Sequence, residues 1–477
     1  MNVIFIMSDE HSGSAIHASG DKYAVTPNLD RLIENGTNFT NAYTTCPVCA
    51  PARASWFTGM YVSKLGTWDN STPYDGKIEG IAEYMQKYNI PVHHIGKTHF
   101  HVDGEYHFAS SSNLGLLSIP DLGCYYRDQN VARIGAEKRY QEIGISNGEK
   151  RFDDKVLDST LSWLDEHKDD NKPWVLNVGF IEPHFPFNIQ QDNWNYFENL
   201  FKDVPLEKEM VPPFTSLNSS LEELRKYFKC DLATEEVTKK IRIGYYASIK
   251  ELDDKIGVII DKLEELGKLD DTAIIYTSDH GEQLGYHGLW WKCTMFEQSA
   301  RIPMIFSIPN TKPGVVDSPV SLTDVFPTLA DMMNVPRPEN IDGESFYQMI
   351  TKENSDHRDF AFSEFNAHGL RGGIYMIRWN RYKYVFYTED EPQLFDMVKD
   401  PMENHNLYGL REEDPEIMNA IDECHKRLLL SCDPYEVTKT SLEFQSKMKK
   451  KLELPEEYSI GRGGSFVPHP DYPGIKR

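Results

Sequence analysis

Four short apolar runs each end in a cluster of titratable residues, and this pattern constrains the fold more than any other feature of the chain. Residues 3–7 lead into Ser8-Asp9-Glu10-His11. Residues 90–95 lead into Lys97 and His99, residues 174–180 into His184, and residues 273–277 into Asp279-His280. Runs of this length, too short for helices and rich in branched and aromatic residues, read as buried strands. Amphipathic stretches alternate with them, the arrangement of a sheet covered by helices on both faces. In open α/β sheets, ligands bind beyond the carboxyl ends of the strands, so the four polar clusters are expected to converge.

The stretches between fit that reading. Thr26-Pro27 opens a helix expected over residues 26–33 and stopped at Asn35-Gly36. Tyr245, Ile249, Leu252, Ile256, Ile259, Leu263 and Leu266 recur at spacings of three and four, a long amphipathic helix ended by Gly267. The texture changes near residue 356. Residues 375–379 and 382–387 read as an antiparallel pair turning at Asn380-Arg381, and a helix is expected between residues 414 and 430. We therefore expect a catalytic domain over 1–355 and a smaller α+β unit over 356–477. Its last stretch, 458–477, is rich in Gly and Pro and reads as an extended tail, suited to an arm exchanged in a homo-oligomer.

Composition narrows the partners. A net charge of -24 argues against nucleic acid and anionic membranes, which call for basic patches, yet permits a local basic pocket for one small anion. The seven cysteines are odd in number and scattered, as expected of reduced thiols in a cytoplasmic protein. The start of the chain lacks the basic lead and long apolar stretch of a signal peptide, and no segment approaches the roughly 20 apolar residues of a membrane span.

The strongest chemical signal is Cys49-Ala50-Pro51-Ala52-Arg53, followed by Ala54-Ser55-Trp56-Phe57-Thr58-Gly59. Pro51 suits the first turn of a helix, which places Cys49 at or just before its N-terminus. The helix dipole and Arg53 one turn on favour an anion there, facing the Cys49 side chain. The competing readings are a buried structural thiol, or a redox or zinc pair in Cys46-Pro47-Val48-Cys49. A lone C-x-x-C has no second pair for zinc. Asp9 and Asp279 offer two carboxylates from strand ends to a hard divalent cation, or else simply cap helices.

This stretch resembles the modification signature of the sulfatase family, C-x-P-x-R with Thr-Gly a few residues later. Further segments are similar to family motifs in the same order: Asp9, Gly96-Lys97-Thr98-His99, Pro183-His184-Phe185-Pro186-Phe187, the block from Ser278-Asp279-His280 to Lys292, and Leu394-Phe395-Asp396 with Asp400-Pro401 and Glu403-Asn404. The resemblance implies an alkaline-phosphatase-like α/β/α sandwich with a mixed central sheet, plus a smaller C-terminal α+β subdomain. It implies that Cys49 is oxidised to formylglycine by a formylglycine-generating or an anaerobic sulfatase-maturating enzyme. The hydrate then supplies the nucleophile for S–O cleavage through a covalent sulfated intermediate.

The remaining roles are likewise implied by the resemblance. One divalent ion, calcium first with magnesium or manganese as alternatives, would be held by Asp9, Asp279, His280 and the modified Cys49. His184 and Lys292 are the candidate proton donors to the leaving oxygen, and His99 the base that helps release sulfate. Lys97 and Arg53 would orient the hydrate and neutralise sulfate oxygens. The chain departs from the commoner family pattern at Glu10 and His280, and Glu10 is not counted among the ligands. The expected substrate is a small sulfate ester such as choline sulfate or a sulfated sugar. Trp68, Trp290 and Trp291 are weighed as a quaternary-ammonium box and as plain packing, with packing favoured. His11, His93, His94, His101 and His107 are given no role beyond pocket lining, and His93 and His94 read as structural. Two rivals are a phosphonate monoester or phosphodiester hydrolase, against which the Lys97-x-His99 pair speaks, and a non-catalytic binding module, against which the intact carboxylates and bases speak.

Overall fold

The computed structural model describes residues 1–101, 103–112, 122–127, 132–133, 135–351 and 357–453. The expected boundary at residues 355 and 356 and the tail 458–477 lie outside them. Among the described residues the central sheet has eight strands. In chain order these are β1 (Asn2–Asp9), β2 (Thr37–Phe39), β3 (Val92–Gly96), β4 (Ser110–Ser111), β5 (Val175–Pro183), β6 (Thr272–Ser278), β7 (Met304–Ser307) and β8 (Gly314–Val316). They lie side by side as β8-β2-β7-β6-β1-β5-β3-β4. β1 is central and parallel to both neighbours, pairing Val3 with Val175 and Ala273. Only β7 runs against the others. The sheet is therefore mixed.

β1 shows why both faces are covered. Its side chains alternate, as pleated strands require. Val3, Phe5 and Met7 join one core with Trp56 and Phe57, while Ile4 and Ile6 join the opposite core with Leu252, Ile256 and Ile259. Residue-by-residue apolarity is what a strand with helices on both sides needs. Helix α1 (Pro27–Glu34) lies where the Thr26-Pro27 signal placed it. The long helix, α4 (Glu235–Glu265), begins ten residues before the first residue of the apolar series. Thr234 caps it, accepting from the Val237 amide, and Glu235 and Glu236 favour the positive end of the dipole. Helix α3 (Phe152–Glu166) packs beside it.

A second sheet, of four antiparallel strands, follows: β9 (Phe360–Phe365), β10 (Ile374–Trp379), β11 (Tyr382–Tyr387) and β12 (Gln393–Asp396). The β10–β11 hairpin turns at Asn380, whose φ is 49°. Helix α5 (Pro415–Ser431) covers this sheet through Ile417, Ile421 and Leu428. A further helix, α6 (Pro434–Lys451), was not expected, although Asp433 caps it and Pro434 occupies its first turn. Arg127 ties α6 to the domain, donating to Ser441 Oγ and to the carbonyls of Asn366, Leu370 and Gly372. The architecture is the α/β/α sandwich with a smaller antiparallel unit that the sequence implied. No described helix is long and apolar enough to cross a membrane.

Candidate active site

Cys49 is the first residue of helix α2 (Cys49–Thr58), every residue of which is buried. Val48 in extended conformation caps its start, and Gly59, with φ of 69°, ends it. This short helix presents Cys49 at the carboxyl ends of β1, β3, β5 and β6, where the four clusters converge. The Cys49 Sγ lies 3.2 Å from His280 Nε2, 3.2 Å from Lys292 Nζ and 3.5 Å from Asp9 Oδ1. His99 and His184 lie near enough to the thiol to act on it electrostatically. Burial alone would keep the thiol protonated. Lys292, Lys97 and His280 outweigh it and hold its pKa well below the ordinary value.

The two aspartates face the thiol from adjacent strand ends. Asp9 accepts from Lys97 Nζ and lies 3.8 Å from Arg53 Nη2. Asp279 accepts from Arg53 Nε at 2.7 Å. Lys97 is brought there by Gly96, whose φ of 94° lets the chain turn and whose missing side chain admits the carbonyl of Gly179. His280 fixes its ring by Nδ1 to the Gly281 carbonyl at 3.0 Å, leaving Nε2 for the cluster. Burial lowers the His280 pKa, but Asp279 and the Cys49 thiolate overcome this and raise it to about 9. Ligand atoms of Asp9, Cys49, Asp279 and His280 lie within 4.8 Å of one another, a set able to hold a cation. Among the described residues Cys46 is not part of this set, and none of the seven cysteines forms a disulfide.

Arg53 departs from expectation. Besides Asp279, its guanidinium donates to the backbone carbonyls of Lys97 and Ser8 at 2.9 and 3.0 Å. It is directed at the protein and braces the aspartates from behind. Glu10, set aside in the sequence, joins the site. It is fully buried at a positive φ of 70°, and Oε2 meets Lys292 Nζ at 3.3 Å and His184 Nε2 at 3.2 Å. Behind it, burial and the Glu10 charge raise Glu282 to about 8. The position of Glu10 one residue past a strand end was the signal available for it. Asn70, also unforeseen, accepts from the Ala50 amide at 3.0 Å and satisfies the helix start.

His11, His93 and His94 are held by hydrogen bonds within the fold. His11 bonds the Tyr276 hydroxyl and the Ala15 carbonyl, and burial lowers it to about 4. His93 and His94, in β3, bond Ser110 and the Gly96 carbonyl. Trp68, Trp290 and Trp291 are core residues, all at least 97% buried, so they form packing and not an open box.

Fold and cluster together give an α/β/α sandwich in which a buried cysteine at a helix start faces paired carboxylates. The family model described as Sulfatase matches residues 1–335, and that of the N-sulphoglucosamine sulphohydrolase C-terminal region matches 285–430. The choline-sulfatase of Rhizobium meliloti (strain 1021) is 31% identical over 85% of this chain and 82% of its own length. Arylsulfatase K of Bos taurus is 28% identical over 88% and 80%. Among solved structures, a protein in complex with its substrate D-glucosamine-2-N,6-O-disulfate superposes with a TM-score of 0.71 at 22% identity, covering 91% of this chain and 99% of the other. The phosphonate monoester hydrolase of Agrobacterium radiobacter superposes at 0.70 and 23% identity, over 92% and 96%. The chain belongs to the sulfatase family. It is a sulfuric ester hydrolase.

Proposed function

We propose that this hydrolase cleaves the sulfate monoester of a small molecule, with formylglycine made from Cys49 supplying a hydroxyl nucleophile beside a divalent metal. The observation that carries the reading is Cys49 at a helix start, within 3.5 Å of Asp9, His280 and Lys292. The residues present fit a metal. Two carboxylates and an imidazole surround one thiol, and exchanging soft sulfur for a hard oxygen turns the set toward calcium or magnesium. Asp9, Asp279, His280 and the modified Cys49 would hold the ion. When bound, it would neutralise sulfate oxygens and acidify the nucleophilic hydroxyl.

Residue roles follow from position. Lys292 and His184, both anchored by Glu10, stand on one side of Cys49 and donate the proton that the departing alcohol oxygen requires. His99 lies against Cys49 on another element. Burial lowers its pKa, so the neutral imidazole is available to take a proton as sulfate leaves. Lys97 supplies positive charge to the sulfate oxygens, and Arg53 preorganises Asp9 and Asp279. The presence of Lys97 and His99 together favours sulfate over phosphonate esters. Choline sulfate and sulfated sugars are the candidate substrates, in line with the relatives' names.

The test is mass spectrometry of the Cys49 peptide on protein from its native host, paired with sulfate release from an ester panel that includes a phenyl phosphonate ester. A peptide lighter by sulfur-to-oxygen exchange with two hydrogens lost, together with sulfate release, is expected. Turnover undiminished in Cys49→Ala would overturn the mechanism.

A further inference from the structure

Beyond the nucleophile cluster lies a cation with no anion of its own. Arg139 is 94% buried, and among the described residues it makes no ion pair and its Nη1 has no hydrogen-bond partner. Its guanidinium lies 3.9 Å from the ring centre of Phe185, 5.4 Å from Trp291 and 5.5 Å from Phe228. Aromatic faces attract the charge but accept none of its five N–H groups in the plane. Burial, aggravated by the nearby charge of Arg133, lowers its pKa to about 10. In a chain of net charge -24, Arg139 makes a small patch of buried positive charge.

The patch has a definite place relative to the chemistry. Phe185 stacks on His184, ring centres 4.3 Å apart, and Trp291 immediately precedes Lys292. His184 and Lys292 are the proposed donors to the leaving oxygen, so Arg139 stands one ring beyond the leaving-group side. Glu10 is the carboxylate whose charge reaches it, and Glu10 is engaged by Lys292 and His184. Of the rings weighed as a quaternary-ammonium box, Trp291 already faces a guanidinium.

We propose that Arg139 binds an anionic group, a carboxylate or a second sulfate, on the alcohol part of the ester, making this a hydrolase selective for doubly charged sulfate esters. This rests on the sulfatase reading above. A planar fork of donors suits either oxyanion, and the anion supplies the acceptor that Nη1 lacks. A neutral or cationic alcohol would leave the buried charge uncompensated.

The experiment compares kcat/KM of the formylglycine-bearing enzyme on phenyl sulfate, choline sulfate, the three carboxyphenyl sulfates and resorcinol bis-sulfate. At least one doubly charged ester is expected to exceed phenyl sulfate by about 10- to 100-fold, the worth of a hydrogen bond to a charged group. Whether the carboxylates or the bis-sulfate lead identifies which anion is read. Arg139→Met should remove that preference, chiefly through KM, and leave phenyl sulfate within about threefold. Arg139→Lys, which keeps the charge without the fork, should retain part of it. Calorimetric titration of the same esters into Cys49→Ala protein should show the same order of affinity. Equal turnover of charged, neutral and choline esters by the wild type would overturn the inference while leaving the sulfatase reading intact. So would an Arg139→Met loss common to all esters. Modified enzyme that releases sulfate from no ester would instead sink the sulfatase reading and this one with it.

Discussion

Glu364 shows how far burial alone can move a single side chain in this protein. It lies in β9, fully buried, accepting from the Ser63 amide at 2.8 Å. Burial, with the charge of Asp342 added, raises its carboxyl to about 7 against the opposing pull of Ser63 and Lys64. Between its unfolded value of 4.5 and that point, the unfolded chain gives up the proton and the folded one keeps it. Stability therefore falls as pH rises through this window, by roughly 3 kcal/mol once the folded carboxyl has ionised. Glu364→Gln should flatten the fall. Urea unfolding at pH 4.5 and 8 measures it, and equal slopes in both proteins would show that the carboxyl is not held protonated. At the same scale, Glu10 and Arg53 mark where residue types ran out as a guide. Their identity was plain, but whether each faces substrate or protein depends on neighbours distant in sequence.

Among elements, the close contact between β3 and β5 constrains the site. A Cβ on Gly96 would lie 2.1 Å from the Gly179 carbonyl oxygen, at a φ of 94° that other residues resist. Gly96→Ala should cost about 2–5 kcal/mol through strain and overpacking, and should reduce turnover because Lys97 follows directly. Denaturant unfolding with a turnover assay checks both, and a variant of wild-type stability would refute the account. The strands around this contact were legible because mostly apolar runs end in polar residues, although β3 carries His93 and His94 at its centre. The start of α4 was less so. Its first ten residues mix buried Thr238 and Ile241 with exposed charges, and the cap at Thr234 carries the signal instead. A cap followed by proline, Asp433-Pro434, announces α6, whose apolar stripe is sparse.

For the molecule as a whole, one lysine ties the second sheet to the segment that precedes β7. Lys383 of β11 is fully buried, 2.9 Å from Glu297 and 2.6 Å from Glu403, and Glu403 also accepts from the Glu297 amide. The family-like stretch around Leu394 and Glu403 is thus docking machinery. Lys383→Met leaves Glu403 buried without its cation, while Glu297 keeps Arg301 at 3.0 Å, and should cost about 3–5 kcal/mol, read as a lower urea midpoint. A change under about 1 kcal/mol would mean that water reaches the carboxyls. The metal proposal is also tested at this scale. Chelation should abolish turnover and added calcium restore it. Turnover that survives thorough chelation would count against Asp9, Asp279 and His280 as a cation site.

The residues by themselves determined the layered α/β plan, the strand ends that carry chemistry, the helix start at Cys49 and the family. These are local properties: apolar runs, a proline in the first turn, motifs in fixed order. Only the tertiary structure decided that Glu10 anchors Lys292 and His184, that Arg53 braces the aspartates, that Trp68, Trp290 and Trp291 are core, and that Arg139 makes no ion pair among the described residues. Charge compensation is a sum over neighbours brought together by the sheet, and no spacing along the chain records that sum.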